Sequence, residues 1–171
     1  MNKFILILLC FVIHGTVKAQ KLKEVADSLY LAENYFDAVT EYKRLLFFYN
    51  DEKNKHYANF MIGNCYKQGA KYDEAIEYFS KSLLYASLDE EIFNTKILLF
   101  RVNLLRRTTQ NAEQLLKEIE NDYRFNDSAN TINYWKGWLC IFNDKFKDAV
   151  YYFGKAGSNN ELKLICENTQ K

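Results

Sequence analysis

Two histidines, four cysteines and twenty-two carboxylates are the groups with which this chain would bind a metal or run catalysis. Their spacing assembles no site. Neither His14 nor His56 belongs to an H-E-x-x-H pair, and Cys10, Cys65, Cys140 and Cys166 form no C-x-x-C. Zinc ligands and redox thiols need such close pairs to converge on one atom. No G-x-S-x-G elbow and no phosphate-cradling glycine loop occurs. The acidic pairs Asp73-Glu74 and Asp89-Glu90 fall where helices begin, and the helix dipole accounts for them. With no nucleophile beside a base, the sequence predicts no enzyme, no metal site and no cofactor. Net charge is +1, and the densest basic group, Arg101, Arg106 and Arg107, sits near the end of a predicted helix. Cations are favoured there by the dipole, and so thin a basic patch excludes nucleic acid as the expected partner.

The elements that must position everything else are set by a ladder of alanines. Ala38, Ala75, Ala112 and Ala149 stand 37 residues apart. Tyr35, Tyr72, Thr109 and Phe146 stand three places before them, and Tyr42, Phe79, Leu116 and Phe153 four places after. A fixed period of this size predicts a repeat array. Proline is absent, where average usage would place about eight, and that favours uninterrupted helices. Nearly half the residues are apolar, so the chain is globular, with length for one domain of ordinary size.

The clearest unit spans residues 56–88. Ile62, Cys65 and Tyr66 share one helical face, Gly69-Ala70-Lys71 is the turn, and a second helix from Tyr72 packs through Ala75, Phe79, Ser82 and Leu83. Gly63 removes a side chain where the second helix approaches. The pattern Ile62-Gly63-x-x-Tyr66, Tyr72-x-x-Ala75, Phe79, Leu83 resembles the tetratricopeptide repeat (TPR) family. Asn59 replaces the family tryptophan and Ser87 the closing proline. The resemblance implies an all-α fold: an α-solenoid of four TPR-like hairpins with a C-terminal capping helix. Its units lie at about residues 19–55, 56–92, 93–129 and 130–166. By register, Gly63 corresponds to Ala26, Phe100 and Gly137. Phe100 in a small-residue slot makes the third unit divergent, with helices expected to sit farther apart. The period exceeds the family's usual ~34 residues, which implies a longer loop or an extra helical turn.

The resemblance also implies where a partner binds. First helices line the concave face of such arrays. Carried over by register, the groove positions are Lys23, Asp27 and Tyr30; Tyr57, Phe60, Asn64 and Lys67; Asn94, Ile97 and Arg101; and Tyr134, Trp138 and Ile141. Aromatic and arginine side chains are the usual anchors of interfaces. Arg101→Ala and Trp138→Ala are therefore expected to weaken capture with the fold intact, while Glu77 stands on the outer face. Some family members grip a C-terminal carboxylate with a lysine, asparagine and arginine clamp. Lys23 matches its first member, but Asp27, Met61, Asn94 and Leu98 occupy the other places, so the clamp is absent.

The two ends read differently from the array. Lys3, the apolar run from Phe4 to Ile13 and the ending Val17-Lys18-Ala19 have the pattern of a signal peptide, residues 1–19, cut before Gln20. The run is shorter than the ~20 apolar residues that span a bilayer. The mature array, residues 20–171, is thus expected in the periplasm or cell envelope, without a transmembrane segment. At the other end, Gly154 and Gly157 stop the last repeat helix, Ser158-Asn159-Asn160-Glu161 can cap another, and Leu162, Leu164, Ile165 and Cys166 can cover the exposed repeat face. A Cys140–Cys166 bridge would fasten that end by roughly 2–4 kcal/mol; otherwise the thiols pack as small hydrophobes. The expected function is a non-catalytic adaptor or scaffold holding a protein segment or peptide. Two alternatives stand beside it: a carbohydrate-binding or uptake accessory stacking Tyr134, Trp135 and Trp138 on sugar rings, and a structural subunit that self-associates.

Overall fold

A computed structural model describes residues 18–49 and 51–157. Among them there are α-helices and one 3-10 helix, and no strand. Helix α1 covers residues 18–31. It is followed by α2 (Tyr35–Phe48), α3 (Glu52–Gln68), α4 (Tyr72–Leu83), α5 (Asp89–Leu105) and α6 (Thr109–Glu120). A 3-10 segment, Tyr123–Ser128, leads to α7 (Ala129–Phe142) and α8 (Phe146–Lys155). The helices pair in sequence as four hairpins, α1 with α2 through α7 with α8, so the all-α helical-repeat architecture stands.

Four three-residue turns close the hairpins, and they are identical in backbone. Glu33, Ala70, Arg107 and Asp144 have φ of 60°, 55°, 68° and 57°. Each is the left-handed residue that ends a first helix. In the first turn the N–H of Asn34 donates to Leu29 and that of Glu33 to Tyr30; the same pair of bonds recurs at Lys71 and Ala70, Thr108 and Arg107, and Lys145 and Asp144. This satisfies the last carbonyls of each helix. No glycine occupies any of the four places. Gly69 sits one residue early, with an ordinary φ of −77°.

Alanine, aromatic and glycine positions explain how the hairpins close. Ala38, Ala75, Ala112 and Ala149 are all fully buried, as the ladder requires. A Cβ placed on Gly63 would come within 2.7 Å of the Phe79 ring, and one on Gly137 within 2.5 Å of Phe153. Small and large residues therefore interlock across α3–α4 and α7–α8, and Ala26 and Tyr42 are buried in one core in the same register. The third hairpin reverses the order. Phe100 is on the first helix and Leu116 on the second, both in one core. The bulk has changed sides, and the hairpin is still formed.

The long period is filled by 17-residue first helices, α3 and α5, against 12 residues in α4 and α6. Between α6 and α7 the 3-10 segment takes up residues within the same 37-residue period, and α7 is correspondingly shorter, 14 residues against 17 in α3 and α5. Phe125 of the 3-10 segment is buried with its ring 5.1 Å from Phe93, and Asp122 caps the N–H of Arg124. Burial of an Asn at the family tryptophan position is met by a bond from Asn59 to the Lys55 carbonyl.

Chain length predicts one core, but packing divides the chain between Ala86 and Ser87 into two compact units. Repeats touch mainly their neighbours, so cores stay local. The first unit centres on Tyr42, Leu45, Ala58, Ile62 and Cys65. The second centres on Phe100, Leu104, Leu116, Ile119 and Phe125, with Ala149 and Phe153 beside it. Lys18 and Ala19, the end of the expected signal peptide, are helical in α1, and Ala19 packs on the first core. Residues 1–17, the capping segment 158–171 and hence the Cys140–Cys166 bridge lie outside the described residues. Cys65 is buried in the first core as a packing residue, and that burial pushes its thiol up to about 12. Among the described residues no helix is long and apolar enough to cross a membrane.

Candidate functional site

The predicted groove residues on α1 and α3 mostly serve the first unit itself. Asp27 Oδ1 accepts from the Tyr42 hydroxyl at 2.7 Å and from the Tyr57 hydroxyl at 2.5 Å. One carboxylate oxygen thus ties three helices. Burial, and then the bond to Asp27, push both phenols well above the usual tyrosine value. Lys23 Nζ lies 3.6 Å from the centre of the Tyr57 ring, a cation–π contact beside the same carboxylate. Tyr30 packs edge-on against Tyr35, and burial raises its phenol too. Phe60 meets the ring of Phe79, and Asn64 is buried, donating to the Phe60 carbonyl and accepting from Lys67 Nζ. Asn64 is buried, and the others, though partly exposed, are engaged with neighbours in their own unit.

The second unit is arranged otherwise. Arg101, Leu104 and Leu105 on α5 face Tyr134, Trp135, Trp138 and Phe142 on α7 across an open groove of about 290 Å³. The Arg101 guanidinium lies 5.0 Å from the centre of the Trp135 ring, and that of Arg107 lies 5.3 Å from Phe142. Tyr134 stands edge-on to Trp135, and Phe100 supports Trp135 from below at 5.8 Å. Leu105 is 46% exposed, a large apolar side chain left at the rim. Three predicted residues, Arg101, Tyr134 and Trp138, are thus brought together. Asn94 is exposed on α5 away from this lining, Ile97 is core, and Ile141 packs on the Ala149–Phe153 cluster.

Trp138 needs a correction. Its removal was expected to spare the fold, but its ring packs edge-on against Phe153 at 6.1 Å and joins both cores of the unit. Truncating it costs packing as well as any contact with a partner. Arg107, outside the lining, stands over the ring of Phe142, and Leu104, Leu105 and Phe142 were missed as groove residues. Their signal was present, since 101, 104 and 105 on one helix and 135, 138 and 142 on the other follow the three-to-four spacing of a single face. Among the described residues no cluster of histidine, cysteine or carboxylate side chains is placed to hold a metal ion.

No family profile and no curated protein sequence matches the chain. Solved structures do match. One, "MamA RS-1 ArsTM double mutant", aligns with a TM-score of 0.64 over 81% of this chain and 73% of that one, at 15% identity. The likeness at that identity is one of fold: the chain is a TPR-like helical repeat.

Proposed function

We propose that the chain is a non-catalytic adaptor that holds a segment of another protein in the α5–α7 groove. The observation that carries this is the lining itself. Arg101, Trp135, Trp138 and the exposed Leu105 converge on one concave surface, and aromatic and arginine anchors in a partly dry pocket are the usual source of interface energy. A TPR-like scaffold supports the reading, since stacked hairpins offer broad surfaces and no pre-built catalytic group. The sugar-binding alternative is less well supported, because Arg101 is the lining's one polar side chain besides the phenol and indole groups. Export through residues 1–19 belongs to the same proposal, and mass spectrometry of the native protein should find Gln20 at the N-terminus.

Selection of peptides on the immobilised chain tests the binding role. Peptides recovered should bind with Leu105→Lys and Trp135→Ala weakened by at least about 2 kcal/mol, the usual size of a hot spot. Glu118→Ala on α6 should bind normally. If groove variants bind normally while outer-face variants fail, the reading is wrong. Concentration-dependent mass in light scattering, abolished by Leu105→Lys, would instead make the groove a self-association surface.

A further inference from the structure

The geometry points to an acidic segment with an apolar anchor as the occupant of the α5–α7 groove. This rests on the adaptor reading and names the chemistry of its partner. The stretches that carry the lining lack carboxylates: beyond the acidic first turn of α5, no Asp or Glu occurs from Ile92 to Ala112, and none from Ser128 to Asn143. Those stretches carry Lys96, Arg101, Arg106, Arg107 and Lys136. Lys136 is matched by Glu120 on α6. Arg101 and Arg107 are not: among the described residues neither forms an ion pair, and each guanidinium instead stands over an aromatic ring, Trp135 and Phe142 respectively. Arg107 follows the end of α5, where the dipole explains a cation. Arg101 is inside the helix, four residues before its end, so the dipole does not explain it.

Stacking fixes a guanidinium without consuming its N–H groups, and its edge remains free for a carboxylate in two parallel bonds. From Arg101 on Trp135 to Phe142, where Arg107 stands, the lining runs through Leu104, Leu105 and Trp138, a floor for an aliphatic or aromatic side chain. The pattern fits an apolar anchor with carboxylates on either side. Two arginines are too few for nucleic acid, whose affinity comes from many phosphate contacts. The surface is charge-complementary to an acidic chain and repels a basic one.

The test uses the full chain and three fluorescent peptides with one Leu/Phe centre and flanks of Asp and Glu, of Ser, or of Lys. Anisotropy should rank them acidic, neutral, basic, with at least about fivefold between the extremes, and the gap should narrow as salt rises. Arg101→Glu should invert the ranking, and Arg101→Gln should flatten it without adding a charge. Arg107→Gly should lower the acidic preference while raising the melting temperature, so lost folding cannot account for the effect. Equal binding of all three peptides, still lost in Leu105→Lys, would overturn the acidic preference and leave the adaptor reading standing. Binding of no peptide, with capture of anionic-lipid vesicles instead, would overturn both.

Discussion

Asp27 and Arg101 occupy the same place in the repeat, two periods of 37 residues apart, and they do opposite things. On α1 the acid draws in the hydroxyls of Tyr42 and Tyr57 and closes its face with internal bonds. On α5 the base lies on Trp135 and leaves its face open. Asn64, the residue between them in register, bonds back to its own helix. Backbone and turn are constant while one slot changes from acid to amide to base. The lesson is that register places a side chain at the groove, but its partners decide whether it serves the fold or is left for something else.

The largest expected effect tests the reversed hairpin, the second contrast between the units. Three hairpins set a small residue on the first helix beneath a large one on the second; the third sets Phe100 above Leu116. Phe100 is fully buried and also supports Trp135. Phe100→Ala should cost about 3–5 kcal/mol of stability. Adding Leu116→Phe rebuilds the order of the other hairpins and should recover at least about 1 kcal/mol beyond additivity, since the two side chains share a core. Urea unfolding of wild type, both single variants and the double variant gives the cycle. A double variant no better than the sum of the singles would mean the bulk has not simply changed sides.

Much of the fold was legible because helical periodicity records which face is buried. Ala38, Ala75, Ala112 and Ala149 fixed the register, and Gly63 and Gly137 the close approaches. What periodicity cannot record is which polar groups meet across helices. Asp27 and Tyr57 look like groove residues at their spacing, and only the arrangement of α1, α2 and α3 reveals their bond. The 3-10 segment Tyr123–Ser128 has no repeat partner and so left no trace in the ladder. The left-handed turn residues were hidden for a different reason. Glycine is the usual sign of that conformation, and Glu, Ala, Arg and Asp stand there instead.

The closed face of the first unit is the next target. Asp27→Ala leaves the buried Tyr42 hydroxyl without its acceptor, and should cost about 1–3 kcal/mol. Arg101→Ala, at the equivalent slot, should cost little stability because that guanidinium is exposed. Near-equal losses would erase the contrast. The same face predicts an alkaline weakness. Both phenols are held above their unfolded value, so the folded state keeps protons that the unfolded state gives up near pH ~10. Stability should therefore be full below about pH 10 and fall above it. Denaturant titrations across that range should show the fall in wild type and a shallower one in Tyr42→Phe.

The smallest effect tests what the two units share. Each hairpin turn places a non-glycine residue at φ between 55° and 68°. A side chain costs roughly 1 kcal/mol in this region, and glycine removes the clash while adding some freedom to the unfolded chain. Glu33→Gly, Ala70→Gly and Asp144→Gly should each stabilise, by about 0.5–1 kcal/mol. The second turn allows a sharper form of the experiment, because Gly69 stands beside Ala70. A Cβ on Gly69 would meet only carbonyl oxygens at 3.6 and 3.7 Å, an ordinary contact, and its φ of −77° suits any residue. Exchanging the two, Gly69→Ala with Ala70→Gly, keeps composition constant and moves the glycine to the strained place. The unfolded chain is then nearly unchanged, and the gain reads the turn alone. A higher urea midpoint is expected at unchanged slope. A loss on exchange would mean that Ala70 holds its turn through packing that outweighs the strain.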